Sequence, residues 1–160
     1  MDSVENKADT PAREPGKLST EELLALIFKT SSLTQFLDGN ASDLSLPSFH
    51  EYITSLCAAR KEVPEHIIQR AGLEKSFGHQ LFSGRRTPSR DTVIQLAFGF
   101  SLTIAEAQEL LKVAGKSPLY PRVKRDSAII YCLYHAVSLI DTQVILYDLG
   151  LPALGEGRKK

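Results

Sequence analysis

No run of 18 apolar residues occurs anywhere in the 160-residue chain, which excludes a helix long enough to cross a bilayer. The first 17 residues also lack the charged-then-apolar order of a secretory signal, so the expected setting is cytoplasmic, with no membrane partner. An excess of one charge sign is missing too. With 19 Lys and Arg against 19 Asp and Glu, any surface for nucleic acid must be a local patch and not a global field. Cysteine is scarce. Cys57 and Cys132 each sit in an apolar run, where two buried thiols are the preferred reading and a structural disulfide the alternative.

Catalytic signatures are equally absent. The chain has no paired carboxylates in an apolar setting, no phosphate-cradling glycine loop and no nucleophile elbow, so neither catalysis nor a cofactor is expected. His50, His66, His79 and His135 are scattered. The nearest Cys/His combination, Cys132 with His135, has no further ligands and reads as core packing. Its apolar setting raises a thiol pKa, which disfavours a nucleophile.

What remains is a globular composition, 42% apolar and 24% charged, with helical periodicity along most of its length. Residues 1–17 read as a disordered leader. Residues 18–46 read as an N-terminal helical segment and linker, opened by Ser19 or Thr20 as cap and broken near Thr30 to Ser32, with Leu23, Leu26 and Ile27 on one face. Five short helices follow over residues 47–115. The first buries Phe49, Tyr52, Ile53, Leu56 and Cys57, and the second, opened by Pro64, buries Ile67, Ile68 and Ala71. The third spans about Glu74 to Ser83. The fourth starts at Thr87-Pro88-Ser89 and buries Val93, Leu96, Ala97 and Phe100. The fifth buries Ile104, Ala107, Leu110, Leu111 and Ala114. Residues 116–154 form a C-terminal helical region, and 155–160 a tail. Within it, Val123 to Leu139 is apolar on two faces, as expected of a central helix or of one shared with a second chain. The stretch Asp141 to Gly150 reads as a helix capped by Asp141, with a strand as the alternative.

The third helix carries the chemistry. Counted from Lys75, the residues Lys75, His79, Ser83, Ser76 and Gln80 fall within an arc of roughly 140°. Leu73, Phe77 and Leu81 face the opposite way, and Gly78 lies beside that core face, where a missing side chain admits a neighbouring helix. Lysine, serine and glutamine suit base edges, with glutamine able to pair bidentately with adenine. Arg85 and Arg86 follow on a loop and Arg90 begins the next helix, positions suited to phosphates. From Arg60 to Arg90 there are seven Lys or Arg against three Asp or Glu.

The run "AGLEKSFGHQLFSGRRTPSRDTVIQLAFGFSLT" resembles the phage-repressor-like (Cro/Xre-type) helix-turn-helix family. The likeness lies in the turn Ala71-Gly72-Leu73, the core Leu81, the helix-ending Gly84, the basic loop with Pro88, and Leu96-Ala97 with Phe100 before Leu102-Thr103. It covers about residues 63–114. The resemblance implies an all-α fold with a five-helix lambda-repressor-like core, extra helices at both ends, and the third helix in the major groove of DNA. Carried over by position, Lys75, Ser76 and Gln80 read bases, while His79, Ser83, Arg85, Arg86 and Arg90 hold phosphates. The chain departs from the family at Pro64-Glu65, where a phosphate-binding glutamine is usual, at Gly78 and at Phe82. The implied function is a duplex-binding transcription regulator acting as a homodimer, with its dimer surface in Val123 to Leu151. The alternative is a helix-turn-helix module that binds a protein partner, adaptor- or antitoxin-like, without reading DNA sequence.

Overall fold

A computed structural model describes residues 18–155, whose regular elements are all helices, with no strand among them. The leader expected over 1–17 and the tail after residue 155 lie outside the described residues. Two compact units divide between Leu46 and Pro47. The C-terminal helices share one core with the five before them.

The first unit holds α1 (Thr20–Lys29), α2 (Leu33–Gly39) and a single 3-10 turn at Ala41–Asp43. Ser19 and Glu22 form a reciprocal capping box that satisfies two amides at the start of α1. Of the face formed by Leu23, Leu26 and Ile27, only Leu23 is half-buried. Among its described residues Phe36 has the one buried side chain.

The second unit holds α3 (Phe49–Ala59), α4 (Pro64–Arg70), α5 (Lys75–Ser83), α6 (Arg90–Gly99), α7 (Ile104–Val113), α8 (Lys124–Tyr134) and α9 (Leu139–Asp148). Its centre is α6. Every residue from Thr92 to Phe100 is buried, because α4, α7 and α9 all pack on that helix. The sequence offers the two-faced α8 either for this place or for an interface with a second chain. It is not the central helix: α8 buries Ile129, Cys132 and Leu133 and leaves Tyr131 and Tyr134 in solvent. Residues 141–148 lie in helix α9, and its cap is Ser138, not Asp141, since the Ser138 hydroxyl accepts the Asp141 amide. Both cysteines are buried free thiols, and burial, followed by the charge of Glu62, raises the Cys57 thiol pKa.

The last four helices are two copies of one motif. Shifting Arg90–Tyr120 by 35 residues lays it without gaps on Arg125–Gly155. Arg90-Asp91 meets Arg125-Asp126, and Gln108, Leu111, Gly115 and Leu119 meet Gln143, Leu146, Gly150 and Leu154. The structure repeats with the sequence. Thr103 and Ser138 cap α7 and α9, and Ser101 and Ala136 sit at φ 55° and 54°. Gln108 clasps the amide and carbonyl of Leu119 just as Gln143 clasps those of Leu154.

Between the copies the contacts are reciprocal. Arg90 donates to both oxygens of Asp126 at 3.1 and 2.8 Å, and Arg125 donates to both oxygens of Asp91 at 3.0 Å. Each arginine also holds two carbonyls of its own copy, Ser117 and Pro118 for Arg90, Pro152 and Ala153 for Arg125. Each aspartate accepts one more amide, Tyr120 to Asp126 and Gly155 to Asp91. With α6 packed on α9 and α7 on α8, this is the pattern of an isologous interface, closed within one chain.

Candidate nucleic-acid interface

Three neighbours fix α5. Glu74 caps its first turn, its two carboxylate oxygens accepting the Ser76 and Phe77 amides. Beneath it, Gly78 lies against Ile68 of α4, where an added Cβ would meet Cγ2 at 2.5 Å and Cγ1 at 2.6 Å. At its end Gly84 adopts φ 82° under the His50 ring, and a Cβ there would meet Nδ1 at 2.7 Å. The turn before α5 needs glycine for the same two reasons. Gly72 has φ 66°, and a Cβ on it would meet Leu139 Cδ2 of α9 at 2.6 Å. The second copy of the motif thus braces the turn that aims α5.

With Leu81 buried and Phe77 and Leu73 half-buried below, the opposite face of α5 is open. Ser76, His79, Gln80, Ser83 and Arg85 line one shallow depression, and Lys75 stands exposed beside it. The side chains of Lys75 and Arg85 have no hydrogen-bond or ion-pair partner among the described residues. Arg86 donates from Nε to Gln80 Oε1 at 3.1 Å. Ser83 donates its hydroxyl to the Gln80 carbonyl. His79 Nε2 lies 3.7 Å from Glu65, so an anion approaching His79 also meets a carboxylate.

Arg90 requires a correction. It is committed to Asp126, Ser117 and Pro118, and its side chain is a clamp inside the fold rather than a phosphate contact. The sequence offered the signal, because the Arg-Asp pair recurs 35 residues later. Other cations are also neutralised internally. Arg60 binds Glu106 and the Phe100 carbonyl, and Arg70 binds Glu62 and the Gly99 carbonyl. Around α5 there remain Lys61, Lys75, Arg85 and Arg86 against Glu65 and Glu74, a weaker surplus than the raw count implies.

A second surface lies on the C-terminal pair. In the first copy Leu96, Gly99 and Phe100 are covered, and α4 approaches Gly99 so closely that a Cβ would meet the Ile67 carbonyl at 2.7 Å. The equivalent residues in the second copy are Tyr131, Tyr134 and His135, all exposed, with the Tyr131 and His135 ring centroids 4.3 Å apart. On α9, Ile140 and Tyr147 are 77% and 81% exposed, with Val144 between them. No group of His, Cys, Asp and Glu able to hold a metal occurs among the described residues, nor any helix long and apolar enough to cross a membrane. In comparisons with family models, curated proteins and solved structures, the chain finds no match.

Proposed function

We propose that the second unit binds duplex DNA through α5, as a transcription regulator of the helix-turn-helix kind. One observation carries this reading. The donors of α5, Lys75, Ser76 and Gln80, share an open face with Arg85 and Arg86, and that face is held by packing on its other side. A helix of this size presents such donors to major-groove edges, with the flanking cations on phosphates. Lys75, Ser76 and Gln80 read bases, Arg85 and Arg86 hold the backbone, and Ser83 and His79 lie at the margin. One α5 spans about half a site, so two copies on a two-fold operator complete it. The exposed residues of α8 and α9, Tyr131, Tyr134, Ile140, Val144 and Tyr147, supply the homodimer surface.

The test separates base contacts from backbone contacts. Replacing Lys75 by alanine weakens the preferred duplex by about 1–3 kcal/mol and relaxes base preference. Replacing Arg85 weakens all duplexes alike and lowers the salt slope by about one unit. Equal losses on every sequence for both variants would refute the base-reading role.

A second reading has its own support. Glu65 and Glu74 flank α5, and the tyrosine-rich face of α8 and α9 is exposed. Both favour a module that binds a protein partner and reads no DNA sequence. Absence of duplex binding together with monomeric behaviour in light scattering at micromolar concentration would favour that reading.

A further inference from the structure

We infer that Gln80 reads a base as a pure donor, through its amide nitrogen alone, and that Arg86 sets this choice by holding its oxygen. The inference rests on the duplex-reading proposal and deepens it, because it names the base edge the site takes: one that offers only acceptors, guanine before thymine.

The geometry begins at Gly84. Its left-handed φ of 82° ends α5 and folds the chain back over the last turn. Two amides then return to the same carbonyl, Arg85 N at 2.9 Å and Arg86 N at 3.2 Å from Gln80 O. Arg86 grips the residue a second time, its Nε donating to Gln80 Oε1 at 3.1 Å. One residue thus binds another through both main chain and side chain, which removes most of the freedom a glutamine at a helix end would keep. The direction of the amide follows from chemistry. A guanidinium has donors only, so the atom it faces must be the oxygen. Gln80 Nε2, with its two hydrogens, has no partner among the described residues, and the side chain lines the depression shared with Ser76, His79, Ser83 and Arg85.

The consequence is a filter. A bidentate contact with adenine needs the glutamine oxygen to accept from N6 while its nitrogen donates to N7. Here that oxygen is turned to Arg86. Guanine presents two neighbouring acceptors, N7 and O6, both open to a donating NH2 group, and no donor beside them. Thymine presents O4 alone, and cytosine presents a donor that the amide nitrogen cannot satisfy. Arg86 therefore acts as a positioning residue for Gln80, while its remaining N–H groups stay available to a phosphate.

Selection of duplexes from a random pool, run in parallel with the unaltered chain, Arg86→Ala and Gln80→Ala, tests this. The unaltered chain should favour guanine over adenine about tenfold at one position, and Gln80→Ala should erase preference at that position while leaving the others. Arg86→Ala should bring the two purines there to within about twofold of each other. Adenine at the position that Gln80→Ala erases would overturn the inference, as would an unchanged purine ratio in Arg86→Ala. Should Arg86→Ala melt early by circular dichroism, Gln80→Glu gives the same answer. It keeps an acceptor for Arg86 but loses the donors, so the preference must move from guanine to cytosine, and retained guanine would overturn the inference. If the unaltered chain enriches no duplex at all, the DNA-binding proposal itself fails, an outcome distinct from enrichment of the wrong base.

Discussion

Replacing Asp126 by alanine is the most informative single perturbation of the fold. Asp126 is 4% exposed and accepts two bonds from Arg90 and one from the Tyr120 amide. Losing one partner of a buried pair costs about 3–5 kcal/mol, chiefly because the other charge is left uncompensated. Arg90 keeps the Ser117 and Pro118 carbonyls, and its side chain is 25% exposed, so water relieves part of that penalty. The expected loss is about 2–4 kcal/mol. At roughly 4 °C per kcal/mol for a unit of this size, Tm falls by about 8–16 °C. The mirror pair is more exposed on its acidic side, Asp91 at 26%, so Asp91→Ala should cost less, about 1–3 kcal/mol. Thermal melts of Arg90→Ala, Asp126→Ala and the double variant isolate the pairwise energy. Coupling of at least about 1 kcal/mol is expected, with the same sign in the Arg125 and Asp91 cycle. Coupling below about 0.5 kcal/mol would refute the reasoning that these pairs lock the two copies together.

Other outcomes follow from the same structure. Burial pushes the Asp91 carboxyl pKa up, but the Arg125 hydrogen bonds, the Gly155 amide and the charges of Arg125 and Arg90 outweigh it and hold that pKa below its ordinary value. A lowered folded pKa stabilises the fold above the ordinary carboxylate pKa, and that contribution is lost as pH falls through the folded value. Tm should therefore drop below about pH 4, and Asp91→Asn should flatten that limb in a pH series of melts. Gly78→Ala should destabilise by about 1–2 kcal/mol despite better helix propensity, since the new methyl meets Ile68; an Ile68→Ala background should relieve the penalty in denaturant titration. Thr142, fully buried with no partner for its hydroxyl among the described residues, stands where the first copy has Ala107. Thr142→Val should gain about 1 kcal/mol in the same assay.

Much of the fold was legible in the chain. Spacing at Phe49 to Cys57, at Ile67, Ile68 and Ala71, and at Val93 to Phe100 marks faces that are buried or half-buried, because a helix packed on one side must repeat its apolar residues every turn. Gly78 was readable for a related reason, since a helix-weakening residue beside a core face implies close approach. The 35-residue repeat was present as well, but periodicity over a turn or two cannot register self-similarity at that distance. That is why Arg90, in the first turn of α6 just after the basic loop, looked like a free cation. Its partner lies 36 residues away, and only the folded chain brings Asp126 to it. The local charge count failed alike at Arg60, whose carboxylate Glu106 lies outside the counted stretch, whereas the partner of Arg70, Glu62, was inside it. The cap of α9 was misplaced by three residues because Ser138 and Asp141 are both competent caps, and only the backbone geometry chooses between them.

Titration of a fluorescent random-sequence duplex with the full chain at low salt tests the central claim most directly. The account predicts micromolar binding that weakens linearly in log affinity against log salt, with the slope reduced by about one unit in Arg85→Ala. No binding at tens of micromolar protein, or binding whose salt slope Arg85→Ala leaves unchanged, would contradict it.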